Sequence, residues 1–231
     1  MHRKIAVIGL GKFGSKLAET LYQKGVEVLG IDDKPENIQR MQNNVTEAVQ
    51  IRIADKESLE ASGVKNVDLV VVAIGGADVE ASILTTALLK QIGVKEIIAR
   101  ATSPIHYQIL KALGVSRIVS PEEDMAVRLA KSIIYPGVKD YLTLKSPWDI
   151  AEIEITSTSK FVGKTIREIQ PNKYNVNILI IERENGQEEG EAEVVQKFPH
   201  EDYKVQKGDI LVVFGKAEDL EKFEEACASR G

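Results

Sequence analysis

The chain has 231 residues, a net charge of −5 and a single cysteine, Cys227. The acidic balance argues against nucleic acid as the main ligand, and one cysteine excludes a disulfide framework and suits a reducing cytoplasm. The longest apolar runs, such as residues 68–76, are too short to span a bilayer. Any role at a membrane would therefore depend on a partner protein.

Apolar runs alternate with amphipathic segments over residues 4–135. The predicted strands cover 4–8, 27–31, 47–51, 68–74, 96–100 and 116–119. The predicted helices cover 12–24, 35–43, 56–62, 79–92, 104–113 and 121–135. This strict alternation predicts an α/β fold, a doubly wound, Rossmann-like parallel sheet.

The pattern changes around Pro136-Gly137 and Pro147. Shorter alternating strands at 151–156, 175–182, 192–197 and 209–215 follow, with turns at 184–190 and 207–209 and helices at 163–169 and 217–228. We expect a first domain over 1–138, a linker over 139–147 and a small α+β domain over 148–231.

Three glycines at the end of the first predicted strand match the dinucleotide-binding pattern G-x-G-x-x-G. Gly9 permits a tight turn, Gly11 lets a phosphate approach the backbone, and Gly14 lets the helix pack on the strand. Asp32 ends the second strand, where a carboxylate accepts hydrogen bonds from ribose hydroxyls and repels a 2′-phosphate. The pattern predicts a nucleotide site; the alternative is a packing turn without a ligand.

Other polar residues follow the later strands. Asp55 either accepts from an adenine amino group or caps the helix at 56–62, and one residue can do both. Gly75 and Gly76 follow the fourth strand and leave room for a sugar and phosphates. We expect Asp78 to cap the next helix rather than to bind a ligand.

Several charged residues have two interpretations. Lys12 and Arg100 either neutralise a terminal phosphate or are solvated surface charges, and the helix dipole alone explains Glu122 and Glu123. A general acid or base at His106 would suit the alternative function, a small NAD-dependent oxidoreductase. The second domain is small for a substrate domain, so we expect His106 on a helix surface instead.

The ordered motifs "VIGLGKFG", "VLGID", "VVVAIGG", "EASILTTALLK", "RIVSPEEDMAVRLA" and "VQKGDILVVFG" resemble the regulatory subunits of bacterial Ktr/Trk potassium transporters. Such subunits carry an RCK (or KTN) nucleotide-binding domain and a small C-terminal RCK domain. The resemblance covers essentially the whole chain. It implies a non-enzymatic subunit on the inner face of the membrane, where homodimers form an octameric ring that gates a KtrB/TrkH-type potassium-translocating subunit. An RCK-type regulator of another channel or antiporter is an alternative.

The same resemblance implies a ligand and its contacts. The ligand would be ATP or ADP, with AMP or NAD(H) as alternatives. The implied contacts are Gly9, Gly11, Lys12, Phe13, Gly14, Asp32, Asp33, Asp55, Ile74, Gly75 and Arg100. Many relatives have arginine where this chain has Lys12, and lysine lacks the arginine fork, so discrimination between ATP and ADP is open.

The resemblance also concerns the helix at 121–135. Glu122 corresponds to an acidic residue that helps to hold a divalent cation, Mg²⁺ or Ca²⁺, near the γ-phosphates at a dimer interface. The apolar stripe of Met125, Leu129 and Ile133 corresponds to a crossover helix that links paired subunits.

A second ligand is implied for the C-terminal domain. In some relatives this domain binds cyclic di-AMP between two subunits, and Ile178, Ile180 and Pro199 lie in the matching region. The segment 184–203 is rich in acidic residues, which is unfavourable for an anionic ligand.

Overall fold

A computed structural model describes residues 3–53, 55–76, 78–135, 137–144, 147–185 and 193–228. The chain divides into two compact units, Met1–Glu122 and Glu123–Gly231. We expected the first domain to extend to residue 138. Instead, the first unit ends at Glu122, and most of the helix Pro121–Ile134 belongs to the second unit. Most of the turn expected at 184–190 lies outside the described residues.

The first unit contains a six-stranded parallel sheet. Its strands are β1 (Lys4–Ile8), β2 (Glu27–Asp32), β3 (Glu47–Gln50), β4 (Leu69–Val72), β5 (Ile97–Arg100) and β6 (Arg117–Val119). Their spatial order is β3-β2-β1-β4-β5-β6, which is the order of a doubly wound sheet. The predicted fold class is confirmed.

Helices cover both faces of this sheet. They are α1 (Lys12–Gln23), α2 (Pro35–Met41), α3 (Lys56–Ala61), α4 (Val79–Gln91) and α5 (Pro104–Ala112). Successive side chains of β1 point to opposite faces. Ala6 and Ile8 therefore join one apolar cluster, while Ile5 and Val7 join the other.

The second unit is built on a five-stranded sheet in the order β10-β9-β11-β8-β7, with antiparallel pairs throughout. The strands are β7 (Val138–Thr143), β8 (Trp148–Glu154), β9 (Asn177–Asn185), β10 (Glu193–Lys197) and β11 (Asp209–Lys216). The second unit also contains the helices α7 (Ile166–Ile169) and α8 (Ala217–Cys227). Residues 139–143 of the expected linker belong to a strand, because β7 pairs along β8.

The helix α6 (Pro121–Ile134) contributes no buried residue to either unit's core. Within the second unit, Arg128 forms an ion pair with Asp140. Nζ of Lys131 lies 3.2 Å from Oδ2 of Asp149. The stripe of Met125, Leu129 and Ile133 is 57%, 57% and 69% exposed. The helix therefore turns a charged face to β7 and β8 and leaves an apolar face uncovered.

No helix in the part of the chain that the structure describes is long and apolar enough to cross a membrane.

The expected position of His106 is wrong. We expected a surface residue, but its side chain is fully buried. Nδ1 accepts from the backbone N–H of Thr102 at 3.3 Å, and Nε2 has no partner among the described residues. Burial lowers the pKa of His106, since the charged ring would lose its hydration.

This burial predicts a loss of stability in mild acid. The pKa of His106 is lower in the folded chain than in the unfolded chain, where it is 6.5. As the pH falls through that value, the unfolded state takes up a proton first and the free energy of unfolding decreases. The His106→Asn variant, which keeps an acceptor for Thr102, should show a smaller fall in Tm between about pH 7.5 and pH 5.5.

The matched control is His200→Asn, because His200 is exposed. It should keep the wild-type pH dependence of Tm. An equal pH dependence in His106→Asn and the wild type would show that His106 is not the group responsible.

Candidate functional site

A cleft of about 1010 Å³ lies at the carboxyl ends of β1 and β4. The order of the strands reverses here, with β2 and β3 on one side of β1 and β4 to β6 on the other. Open α/β sheets bind their ligands at this switch point. The cleft is bordered by the ends of five strands, β1 to β5, by the start of α1 and by residues of α2 and α4. Its lining residues are Ile8, Gly9, Gly11, Lys12, Ile31, Asp32, Asp33, Lys34, Asn37, Ile51, Arg52, Ile53, Ala73, Ile74, Gly75, Gly76, Asp78, Glu80, Ala81, Leu84, Thr85 and Arg100.

The glycine turn between β1 and α1 forms one wall of this cleft. Gly9 has a φ of +93°, which favours glycine. A methyl group on Gly14 would lie 1.8 Å from the carbonyl oxygen of Gly9. One on Gly11 would meet, apart from its chain neighbours, no atom of the described residues within 4 Å. Gly14 therefore serves packing, and Gly11 keeps the backbone accessible from the cleft.

The carboxylate of Asp32 holds this turn in place. Oδ2 accepts from the backbone N–H of Leu10 at 2.6 Å. Oδ1 accepts from the backbone N–H of Lys34 at 2.9 Å and from Nδ2 of Asn37 at 3.0 Å. Asp32 is only 8% exposed, so much of its hydrogen-bonding capacity serves the protein itself.

A second set of hydrogen bonds holds the backbone carbonyl group of Leu10. Its carbonyl oxygen accepts from Nη2 of Arg40 at 2.8 Å and from Oγ of Ser15 at 2.6 Å. Arg40 also donates to Oδ1 of Asn37 at 2.8 Å, which links the two sets. The sequence analysis did not single out Arg40, Ser15 or Asn37, because each residue matches an ordinary helix position.

Arg100 lies at the opposite wall, at the end of β5. Its guanidinium forms an ion pair with Glu122 and lies 5.4 Å from the centroid of the Phe13 ring. The side chain is 15% exposed, and Nε is buried without a hydrogen-bond partner in the described ranges. Arg100 is therefore a partly buried, constrained cation at the edge of the cleft rather than a solvated surface charge.

Asp55 and Asp78, each considered as a helix cap or a ligand contact, have different environments in the structure. Asp55 begins α3 and accepts from the backbone N–H of Ser58 at 2.9 Å, which lowers the pKa of its carboxyl. It is a helix cap and does not line the cleft. Asp78 occupies the cap position of α4 but makes no capping hydrogen bond, contrary to expectation, and it does line the cleft.

Most of the implied ligand contacts come together. Gly9, Gly11, Lys12, Asp32, Asp33, Ile74, Gly75 and Arg100 border the cleft. Phe13, Gly14, Asp55 and Glu122 do not. The sequence analysis missed Arg52 with its neighbours Ile51 and Ile53, although their position directly after β3 was a usable signal.

The charged side chains of the lining are balanced. Its basic members are Lys12, Lys34, Arg52 and Arg100, and its acidic members are Asp32, Asp33, Asp78 and Glu80. The lining therefore has no surplus of positive charge. An anionic ligand would rely on the backbone N–H groups at the start of α1, where no acidic side chain occupies the first turn.

The remaining predicted ligand sites have less support from the geometry. Within the described ranges, no group of three or more His, Cys, Asp or Glu side chains is placed to hold a metal ion. Glu122 is paired with Arg100. In the second unit, Ile178 is 8% exposed and belongs to the core, while Ile180 and Pro199 are half-buried. The cyclic di-AMP site stays a prediction.

Comparison with known proteins identifies both units. The TrkA-N domain model matches residues 5–121, and the TrkA-C domain model matches residues 150–228. The Ktr system potassium uptake protein C of Bacillus subtilis is 35% identical over 97% of both chains. This chain belongs to the Ktr potassium uptake protein family. The resemblance inferred from the motifs is confirmed.

Two further comparisons concern the sequence and the fold respectively. The Ktr system potassium uptake protein A of Bacillus subtilis is 32% identical over 96% of both chains. The solved TrkA-N domain of the Escherichia coli inner membrane protein ybaL has a TM-score of 0.50 and 18% identity, over 57% of this chain and 96% of that one. That likeness concerns the fold alone.

Membership of the Ktr family also decides between the two classes of function. The family consists of potassium uptake proteins and not of dehydrogenases. His106, the candidate acid or base of an oxidoreductase, is buried and does not border the cleft.

The contacts of Asp32 predict a structural cost for its removal. In Asp32→Ala, the buried N–H of Leu10 loses its acceptor, and the variant should be about 1–3 kcal/mol less stable in urea denaturation. Asp33→Ala is the matched control, since Asp33 is an exposed neighbour. It should change stability by less than about 0.5 kcal/mol. Equal losses in both variants would contradict this role of Asp32.

Proposed function

We propose that the chain is a nucleotide-sensing regulatory subunit of a potassium uptake system. The observation that carries this proposal is the accessible backbone at Gly11, next to the uncapped start of α1. Such a helix start is an anion-binding site for phosphate groups. The names of the Ktr relatives supply the process, potassium uptake.

The end of the cleft away from α1 suits an adenine base. The half-buried side chains of Ile51 and Ile53 border it with Arg52 and offer an apolar surface and a guanidinium plane to a base. Asp32 has acceptor capacity left on Oδ2 for one ribose hydroxyl. The cleft is large enough for ATP, ADP or AMP, and also for NAD(H).

The balanced lining makes a divalent cation useful to a triphosphate. ATP would bring about four negative charges to a cleft without a surplus of positive ones. Mg²⁺ or Ca²⁺ would neutralise part of this charge, and Glu122 would offer it a carboxylate oxygen. Since Glu122 is paired with Arg100 in the chain alone, such a role requires that this pair opens.

The uncovered stripe of α6 suits a second copy of the chain. Met125, Leu129 and Ile133 are all more than half exposed, and burying them between two copies would stabilise a dimer. Four such dimers would form the octameric ring. In this proposal the ring sits on the cytoplasmic side of a membrane subunit that translocates potassium.

Gating follows from unequal affinity. A nucleotide changes the balance between two ring conformations only if it binds one of them more tightly. The γ-phosphate and its cation are the natural source of the difference between ATP and ADP, because they add charge near the start of α1.

Calorimetric titration with ATP, ADP, AMP and NADH, each with Mg²⁺ or with a chelator, tests the proposal together with light scattering. Tight binding of adenine nucleotides to an assembly of about eight chains supports a gating subunit. Tight binding of NADH to a monomer or dimer, without any response to ATP, would return the oxidoreductase to consideration.

Lys12 should distinguish ATP from ADP. It is exposed at the first position of α1 and borders the cleft, so its charge is placed for the outermost phosphate. Lys12→Ala should weaken ATP binding by about threefold to fivefold and ADP binding by less than about twofold. Lys34→Ala, a lysine beyond the end of β2, is the control and should affect both nucleotides alike. Equal losses for ATP and ADP in Lys12→Ala would refute this role.

The stripe of α6 should control assembly. Leu129→Glu would bury a charge between two copies, and its scattering mass should fall below that of the wild-type assembly. Val127→Glu is the matched control, because Val127 lies on the opposite side of α6 and is also exposed. A Leu129→Glu variant with wild-type mass would show that the stripe is not the dimer contact.

A further inference from the structure

Glycine at position 75 was expected to leave room for the sugar and phosphates of a ligand. The geometry gives another reason for glycine. A methyl group on Gly75 would lie 2.5 Å from Nη1 and 2.7 Å from Cζ of Arg100. These distances are shorter than any normal carbon contact, so the guanidinium would have to move.

The backbone does not itself require glycine at this position. Gly75 lies outside the left-handed region, unlike its neighbour Gly76, which has a φ of +70°. Alanine at 75 is therefore compatible with the backbone, and the atoms it would meet belong to the end of a flexible side chain. The space that glycine leaves is filled by Arg100.

The guanidinium also contacts the ring of Phe13. The ring centroid lies 5.4 Å from Cζ of Arg100, within the range of a cation–π contact. Phe13 does not border the cleft, so it has no direct contact to offer a ligand there. Phe13, Gly75 and the carboxylate of Glu122 together fix a cation whose Nε has no partner in the described part of the chain.

We propose that Gly75 and Phe13 are positioning residues that set the affinity for the nucleotide's phosphates through Arg100. This inference rests on the proposed nucleotide binding. Arg100 supplies charge-assisted hydrogen bonds to the phosphates. Gly75 permits its guanidinium to lie at the cleft wall, and Phe13 keeps it there.

Titration of the full-length chain with ADP and with adenosine tests this assignment. Gly75→Ala should weaken ADP binding about tenfold, the effect expected when one charge-assisted hydrogen bond is lost. Phe13→Leu, which keeps an apolar side chain, should weaken it about threefold. Neither variant should change the affinity for adenosine by more than about twofold, because adenosine has no phosphate for Arg100 to contact.

The decisive comparison repeats both substitutions in Arg100→Gln, whose shorter side chain lacks the atoms that a methyl at 75 would meet. There, Gly75→Ala and Phe13→Leu should have less than about a twofold effect on ADP affinity. Gly11→Ala is the matched control, because its methyl group enters open space at the cleft. It should weaken ADP binding equally in both backgrounds.

Each outcome is informative. If Gly75→Ala loses as much affinity in Arg100→Gln as in the wild type, Gly75 acts directly on the ligand and the inference is wrong. If neither Gly75→Ala nor Phe13→Leu affects ADP binding, the inference is also wrong. If Gly75→Ala does not fold, the effects of Phe13→Leu on ADP binding in the wild type and in Arg100→Gln test the inference alone. A wild-type chain that binds no nucleotide would overturn the proposed function, and this inference with it.

Discussion

The backbone of Leu10 is the point on which the cleft depends. Asp32 accepts from its N–H, while Arg40 and Ser15 donate to its carbonyl oxygen. Because Leu10 lies between two glycines, fixing its peptide groups fixes a segment that would otherwise have many conformations. The start of α1 is thereby directed at the cleft before any ligand arrives, and the ordering cost is met in folding rather than in binding.

The two walls of the cleft are held by different kinds of force. The wall at Asp32 is a network of short, directional hydrogen bonds with several shared members, so it tolerates little movement. The wall at Arg100 relies on packing against Phe13 and Gly75 and on one ion pair. In our proposal, the rigid wall recognises the part that all adenine nucleotides share, and the more adjustable wall responds to the phosphates that distinguish them.

The sequence predicts local features well and long-range ones poorly. Glycine spacing and the carboxylate after β2 are local patterns, and the α/β alternation fixes the sheet. The contact of Arg40 with Leu10 joins residues far apart in the chain, and no periodicity encodes it. The burial of His106 was missed because a histidine at a helical spacing has no feature that separates a surface position from an interior one. β7 was missed since two prolines and a glycine nearby favoured a linker.

In our proposal, the cleft wall recognises a ligand without transforming it. Among the described residues that border it, none is a histidine or a cysteine, the side chains best suited to proton transfer or covalent attack near neutral pH. What the wall offers is charge of both signs, apolar surface and backbone N–H groups. In our proposal, such a site distinguishes ligands by their charge and shape. Since the positive and negative side chains of the lining balance, each added phosphate brings negative charge that the lining does not neutralise. Sensitivity to phosphate number therefore needs no catalytic group, only an assembly that responds to the difference.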